Sequence, residues 1–191
     1  MNGIILAGGE NKRMGADKAF LAIDGRPMIE HILALFAGLF KKTIIVTNTP
    51  ERYRSYGVEL VADALAIRGP LTGIYSGLQS SDEAFNFIAA CDMPFLDRHL
   101  IAYMGEISRG HDAVVPLVNG LPEPLHAIYS KRTLSQIESH IRSGERRIYP
   151  LFDRLDVRYL GHEEIDRIDP DRRSFRNINT PEEYKEALCS D

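Results

Sequence analysis

Short apolar runs alternate along this chain with longer segments of helical spacing, and this alternation limits the folds that the chain can adopt. The runs are often β-branched, as buried strands are, and they cover residues 3–7, 43–47, 58–62, 86–90 and 112–116. The segments between them repeat apolar residues every three or four positions, at residues 27–40, 70–81 and 96–107. Strands and helices in alternation favour right-handed crossovers. We therefore expect an α/β fold, a three-layer sandwich with a Rossmann-like, mostly parallel sheet and helices on both faces.

The pattern loosens after residue 120. There, residues 124–130 are predicted to form a strand, and residues 131–144 and 181–189 are predicted to form helices. No internal repeat, low-complexity tract or linker interrupts the chain. A single domain over residues 1–191 is therefore expected.

Composition and charge exclude several classes of function. The 191 residues are 44% hydrophobic and carry a formal net charge of -4, so the chain as a whole does not attract nucleic acid or an anionic membrane. An anion must then be held by a local basic site. The two cysteines, Cys91 and Cys189, exclude a disulfide framework and a four-cysteine zinc site, and they favour a cytoplasmic location. No apolar run approaches the ~20 residues of a membrane span, so neither secretion nor a membrane is expected.

Chemically unusual residues follow the first four predicted strands. Gly8 and Gly9 follow the first strand, Asn48 the second, Asp63 the third and Asp92 the fourth. In an open α/β sheet, ligands bind outside the carboxyl ends of the strands. We therefore expect these residues to meet at one edge of the sheet and to form a binding site there.

The loop after the first strand, LAGGENKRMGADK at residues 6–18, has the composition of a phosphate-binding loop. Glycines allow the backbone to approach a polyphosphate and to point N–H groups at it. Arg13 can contact two phosphate oxygens at once, and Lys18 can act as a mobile point charge. The spacing is neither that of a P-loop nor G-x-G-x-x-G. The alternative interpretation is a glycine-rich turn with solvated charges.

Asp92, in the stretch AACDMPF at residues 89–95, is a candidate metal ligand. Magnesium typically takes one or two carboxylates together with substrate phosphates, and Asp92 emerges where a metal-bound polyphosphate would lie. The alternative is a turn or helix-capping aspartate, a role that suits Asp97 better. Asp63 is predicted close to the glycine-lined helix start at residues 69–73. It either accepts hydrogen bonds from a base or ribose or serves as a structural cap. Cys91 is interpreted as a small buried apolar residue.

The loop at residues 6–18, read together with CDMP at 91–94 and FRNINTPEEY at 175–184, resembles the molybdenum cofactor guanylyltransferase family. This family belongs to the nucleotidyltransferase superfamily, whose fold is of the nucleotide-diphospho-sugar transferase type. The resemblance extends from residue 3 to residue 188. Its opening motif, roughly LAGGxxxRMGxDK, is matched, and the double glycine favours the guanylyl branch over the cytidylyl branch.

The resemblance implies transfer of GMP from GTP to the phosphate of molybdenum-bearing molybdopterin, with Mg²⁺ as cofactor and release of pyrophosphate. It implies a nucleotide-binding part at about residues 1–115 and an acceptor-binding part at about residues 116–191. The implied nucleotide-binding residues are Leu6, Ala7, Gly8, Gly9, Gly15, Lys18, Asn48, Asp63 and Asp92. The implied catalytic residues are Arg13, Lys18 and Asp92, with Asp92 as the metal ligand. The implied acceptor-binding residues are Arg146, Arg147, Asn177 and Asn179.

The carboxy-terminal third also carries residues suited to a second anion. Its basic side chains are Arg142, Arg146, Arg147, Arg172, Arg173 and Arg176. Asn177 and Asn179 alternate along an extended stretch and therefore share a face, where their amides can pair with the amide-like edges of a pterin. The alternative is that the arginines form solvated surface and the asparagines complete a loop before the helix that begins near Thr180.

The implied chemistry needs no protein nucleophile, because a phosphate monoester is largely dianionic near neutral pH. The six histidines have no zinc-site spacing, and His126 is assigned no catalytic role. Alternatives remain open at this point. The chain could use CTP with molybdopterin or another nucleotide with a sugar or alcohol phosphate. It could also be a non-catalytic nucleotide-binding adaptor that hands the cofactor to other biosynthetic or acceptor proteins.

Overall fold

The structure, a computed structural model, describes residues 1–8 and 18–188. Three predicted nucleotide-site residues, Gly9, Arg13 and Gly15, lie outside the described residues. Cys189 also lies outside them.

A single large sheet organises the described part of the chain. Its strands follow the order β10-β7-β9-β6-β1-β4-β5, and β8, which is not part of this order, pairs with β7. Strands β2 and β3 form a separate hairpin. The strands are β1 (Asn2–Leu6), β2 (Ala22–Ile23), β3 (Arg26–Pro27), β4 (Thr43–Val46), β5 (Glu59–Val61), β6 (Phe85–Ala90), β7 (Ala113–Val118), β8 (Leu121–Pro122), β9 (His126–Ser130) and β10 (Val157–Leu160).

The four strands β5, β4, β1 and β6, which extend from one edge of the sheet to its middle, all run in the same direction. Strand β9 runs against both of its neighbours, β6 and β7, and β10 is parallel to β7. The sheet is therefore mixed but mostly parallel, which confirms the prediction. The predicted strands within residues 3–130 coincide with β1, β4, β5, β6, β7 and β9 to within two residues at most ends.

Helices cover the sheet. They are α1 (Met28–Ala37), α2 (Pro70–Ser80), α3 (Arg98–Glu106), α4 (Leu134–Arg142), α5 (Tyr149–Phe152), α6 (His162–Asp166) and α7 (Pro181–Leu188). Each predicted helix is confirmed as α1, α2, α3, α4 or α7, although the observed helices are shorter. None of the helices in residues 1–8 and 18–188 has the length and apolar character needed to cross a bilayer.

The strands alternate their side chains between two apolar layers, which explains why helices lie on both faces. On one face Ile5, Ile45 and Phe87 pack with Phe36 of α1 and Leu100 of α3. The residues next to them in each strand face the opposite side of the sheet, because successive side chains of a β-strand alternate between its two faces.

On the second face, Ile4, Val46 and Ile88 pack with Ile74 of α2 and Ile137 of α4. Burying each such side chain stabilises the fold by about 1.5–3 kcal/mol. The two layers together hold the sheet rigidly, so the loops at its carboxyl edge are attached to fixed strand ends.

Local signals set the helix starts. Asp97 caps α3, as predicted, because its Oδ1 accepts hydrogen bonds from the amides of His99 at 2.7 Å and Leu100 at 2.9 Å. Pro70 occupies the first turn of α2, where its missing N–H costs nothing. At α7, the Thr180 Oγ1 accepts a hydrogen bond from the Glu183 amide, and the Glu183 carboxylate accepts the Thr180 amide, which forms a capping box.

Gly3 marks the tightest approach between the sheet and α1. A Cβ at this position would lie 2.5 Å from Cδ2 of both Phe36 and Phe40, two rings that pack edge to face. We therefore expect Gly3→Ala to lower the free energy of unfolding by about 1–3 kcal/mol through overpacking. Urea denaturation would measure this change.

Gly38→Ala is the matched control, because the nearest atom to a Cβ there is the Leu35 carbonyl oxygen at 3.7 Å. Its stability should stay within about 1 kcal/mol of the wild type. Equal stabilities for the two variants would show that the packing around Gly3 is not restrictive.

Candidate functional site

The residues predicted to meet at one sheet edge follow strands that end side by side. The amide of Ala7 donates to the Val46 carbonyl at 2.9 Å, and the amide of Cys91 donates to the Leu6 carbonyl at 3.2 Å. The pairing thus continues one residue beyond the ends of β1 and β6. The structure therefore brings Leu6, Ala7, Gly8, Asn48, Asp63 and Asp92 to the same carboxyl edge.

Three side chains from distant parts of the sequence converge at the end of β6. The Lys18 Nζ lies 3.6 Å from the Asp92 Oδ2 and donates a hydrogen bond of 2.5 Å to the Asn179 Oδ1. The amide of Ile178 donates to the Asp92 carbonyl at 3.0 Å. The predicted nucleotide-site lysine, the predicted metal ligand and a predicted acceptor asparagine are thus in one cluster.

Packing of α7 explains how residue 179 reaches residue 18. Ile178 and Ala187 are buried against Ile23 and Met28, which belong to β2 and α1. The hydroxyl of Tyr184 donates to the Ala22 carbonyl at 2.6 Å. The end of the chain is therefore anchored on the hairpin that directly follows Lys18.

Asp92 has an environment that favours a closely bound cation. Its side chain is only 19% exposed. Burial raises the pKa of Asp92, the Lys18 ammonium opposes this rise, and the charge of Glu183 adds to it. The lysine partner of this largely desolvated carboxylate is 3.6 Å away. A cation that approaches more closely would therefore stabilise the charged form of Asp92. A hard oxygen in this position fits Mg²⁺.

Asn48 and Asp63 form a reciprocal pair at the ends of β4 and β5. The Asn48 Nδ2 donates to the Asp63 Oδ2 at 2.8 Å, and the Asp63 amide donates to the Asn48 Oδ1 at 3.1 Å. These two hydrogen bonds give Asp63 a structural role of the kind that the sequence left open, although it is Gly69 and not Asp63 that precedes α2. The pair orients the Asn48 amide. The Asp63 Oδ1 accepts no hydrogen bond from the described residues and can therefore accept one from a ligand.

Packing does not require a glycine at position 8. A Cβ on Gly8 would meet no atom of residues 1–8 and 18–188 within 4 Å, and the residue is exposed. By contrast, a Cβ on Gly73 would lie 3.2 Å from the Leu6 Cδ2, so α2 needs a glycine there to pack against the end of β1. Among the residues that the structure describes, the backbone at Gly8 is therefore uncovered at the sheet edge.

The predicted acceptor arginines lie in the turn at residues 143–147, after α4. Strand β9 ends beside the start of β6, and α4, which follows it, packs on the sheet. The side chain of Arg147 pairs with the Glu145 carboxylate at 2.9 Å, and the carbonyl of Arg147 contacts the His140 Nε2 at 3.0 Å. Arg146 is exposed. The structure does not join these arginines to Lys18 or Asp92 by any contact among the described residues.

Other arginines of the carboxy-terminal third are neutralised by carboxylates. Arg142 pairs with Glu138 at 2.7 Å, Arg172 with Asp166 at 2.7 Å, and Arg176 with Glu186 at 3.7 Å. The interpretation of these three side chains as structural surface is therefore supported. Arg173 lies over the ring of Phe95 at 5.3 Å.

Sequence reasoning missed the residue that positions Asn179. The Glu183 Oε2 accepts hydrogen bonds from the Asn179 amide at 2.6 Å and the Thr180 amide at 2.9 Å. The T-x-x-E spacing of a capping box was the signal that could have identified it. Asn177 contributes a buried Oδ1 with no hydrogen-bond partner among the described residues. A buried amide oxygen of this kind is stabilised when it gains a donor.

The fold and this edge define a class of protein, the nucleotidyltransferases. A family model described as the MobA-like NTP transferase domain matches residues 3–158. The chain belongs to the MobA-like NTP transferase family.

Individual relatives extend the match over nearly the whole chain. The molybdenum cofactor guanylyltransferase of Desulfosudis oleivorans is 41% identical over 98% of this chain and 94% of its own length. A probable molybdenum cofactor guanylyltransferase of Peptoclostridium acidaminophilum is 37% identical over 96% of this chain and 86% of its own length. The crystal structure of molybdopterin-guanine dinucleotide biosynthesis protein A from Archaeoglobus fulgidus superposes with a TM-score of 0.86 at 30% identity, covering 98% of this chain and 97% of that one.

His126 packs against Phe175, which precedes Asn177 and Asn179 in the chain. It is fully buried, with its ring 5.1 Å from that of Phe87 and 4.7 Å from that of Phe175. Neither ring nitrogen has a hydrogen-bond partner among the described residues. Burial lowers the pKa of His126 to about 3. This environment is consistent with the absence of a catalytic role.

The buried His126 should make the fold sensitive to mild acid. Its pKa is about 6.5 in the unfolded chain and about 3 in the folded protein, so the unfolded state binds more protons between these values. Stability should therefore fall as the pH drops below 6.5, by roughly 1.4 kcal/mol per unit from this group. His126→Leu should lose about 2 kcal/mol less than the wild type between pH 6.5 and pH 5 in urea denaturation.

His99→Gln serves as the control, because His99 is exposed on α3. It should keep the wild-type pH dependence. An unchanged pH dependence in His126→Leu would mean that His126 is already protonated or hydrated in the folded state.

Proposed function

We propose that this protein transfers GMP from GTP to the phosphate of molybdenum-bearing molybdopterin, in the cytoplasm, and releases pyrophosphate. The product is the guanine dinucleotide form of the molybdenum cofactor. The convergence of Lys18, Asp92 and Asn179 at the carboxyl edge carries this proposal, because one cation contacts groups on both sides of the site. The names of the relatives support GTP and molybdopterin as the two substrates.

The nucleotide is assigned to the half of the edge formed by β1, β4 and β5. The triphosphate lies against the open backbone at Gly8, where N–H groups and the ammonium of Lys18 balance its charge. The base and ribose lie towards Asn48 and Asp63. Guanine presents adjacent N–H donors, and the Asp63 carboxylate is an acceptor for such an edge. Arg13, Gly9 and Gly15 are proposed to complete this half.

Asp92 is the residue that would hold Mg²⁺. The ion would supply charge neutralisation at the phosphates of the nucleotide. The desolvated Asp92 carboxylate and the phosphate oxygens together match the ligand set that magnesium prefers. Lys18, which now faces Asp92 at 3.6 Å, is free to turn towards the phosphates when a closer cation neutralises the carboxylate.

The acceptor is assigned to the other half, with Asn177 and Asn179 on one side and the turn carrying Arg146 and Arg147 on the other. Its phosphate dianion is the nucleophile, so the protein needs no residue to form a covalent intermediate. What limits the reaction is the repulsion between two anions. Lys18 reduces this repulsion and orients the α-phosphate for in-line attack, which makes catalysis mainly positioning and electrostatics. Delivery of the acceptor by another cofactor-biosynthesis protein is compatible with this open edge.

Asp92→Asn tests the proposed function. The variant should lower pyrophosphate release from GTP, Mg²⁺ and molybdopterin by about a hundredfold or more, because a charge-stabilising contact worth ~3–4 kcal/mol is lost. Asp97→Asn is a matched control five positions away, since asparagine caps a helix as well as aspartate does. It should retain near-wild-type turnover.

Replacing GTP by CTP in the wild-type assay separates the guanylyl reaction from the cytidylyl one. Turnover that is faster with CTP would contradict the proposed donor. Tight GTP binding without any pyrophosphate release would instead indicate a nucleotide-binding adaptor. Near-normal activity of Asp92→Asn would remove Asp92 from the mechanism.

A further inference from the structure

The turn between β8 and β9 lies at the carboxyl edge of the sheet, beside the end of β6. Strand β9 lies next to β6 on the side away from β1, so residues 123–125 come directly beside the end of β6. The amide of Ala90 donates to the Leu125 carbonyl at 3.1 Å, two residues before Asp92. A residue of this turn can therefore contact an acceptor that reacts next to Asp92.

Glu123 is held rigidly within this turn. Its amide donates to the Pro116 carbonyl at 2.9 Å, which fixes it to the end of β7. The hydroxyl of Tyr129, in β9, donates to the Pro124 carbonyl at 3.0 Å. These bonds fix the backbone from which the Glu123 side chain extends.

The Glu123 side chain has acceptor capacity that the protein does not use. Its Oε1 accepts one hydrogen bond, of 3.2 Å, from the Leu125 amide. The side chain is half-buried, and no Lys, Arg or His of the described residues forms an ion pair with it. Burial raises the pKa of Glu123, and the negative charge of Asp92 raises it further. A partly desolvated carboxylate without a cationic partner is costly to the fold unless a ligand supplies donors.

The charge of Glu123 decides which part of the acceptor it can contact. A phosphate would be repelled, so the phosphate of the acceptor must lie towards Lys18 and the arginine-bearing turn. A pterin ring carries a ring N–H and an amino group side by side, and these two donors match the two oxygens of a carboxylate. We propose that Glu123 recognises this N–H edge and is a specificity-determining residue for the acceptor. This inference rests on the proposed function.

The proposal predicts how the wild-type protein discriminates between two small probes. Pterin offers the donor pair, whereas lumazine replaces the amino group by a carbonyl oxygen, which a carboxylate repels. We expect pterin to inhibit the transfer reaction, competitively with molybdopterin, at least about tenfold more strongly than lumazine. Equal inhibition by the two compounds in the wild type would overturn the proposal without any variant.

Glu123→Gln should reverse this preference, because an amide presents one donor and one acceptor and therefore pairs with lumazine. The variant should also raise the KM for molybdopterin by about tenfold or more and leave the KM for GTP unchanged. Rescue is expected from Glu123→Asp, which should retain the preference for pterin although its affinity is weaker. Glu163→Gln, on the exposed surface of α6, is the matched control and should behave as the wild type.

The outcomes separate the two proposals. If the wild type releases no pyrophosphate from GTP and molybdopterin, the proposed function fails. If the wild type turns over but Glu123→Gln keeps the preference for pterin, only the assignment of Glu123 fails. A change in the KM for GTP alone would likewise overturn it, since it would place Glu123 on the nucleotide side. If Glu123→Gln does not fold, the proposal is tested by the wild type alone, in which pterin should inhibit more strongly than lumazine.

Discussion

The parallel alignment of β5, β4, β1 and β6 is the constraint on which the rest of this molecule depends. Because these strands point the same way, each delivers the residue that follows it to the same edge of the sheet. Apolar layers on both faces of the sheet fix the strand ends. A shift in the register of one strand would move a functional side chain by more than 3 Å.

Electrostatics adds a second condition. In the proposed reaction, an acidic chain with a formal net charge of -4 has to hold two anionic substrates, which requires cations at the place where the two anions meet. Several arginines of the carboxy-terminal third are paired with carboxylates and do not serve this purpose. Lys18 is the cation proposed for this purpose, because it contacts both Asp92 and Asn179. The carboxylates of Asp92 and Glu123 are the negative groups of the proposed site, assigned to a metal ion and to N–H donors respectively.

Much of the fold could be predicted from residue spacing, while the outer elements could not. The buried strands have unbroken apolar character, so β1, β4 and β6 were identifiable. Strand β10 has an exposed Tyr159 and an arginine within four residues, and α5 is only four residues long. Both are too short for periodicity to reveal them, and both form because the sheet and α4 offer apolar surface to Leu160 and Phe152.

The sequence by itself determined the residue types of the site and their order along strands of one direction, because these depend on local composition and period. Only the tertiary structure decided which of them touch. The contact between Lys18 and Asn179, 161 residues apart, follows from the packing of Ile178 and Tyr184 on the β2–β3 hairpin. The role proposed for Glu123 likewise could not be inferred from its sequence neighbours, since the properties of a carboxylate depend on its burial and on the charges that the fold brings near it.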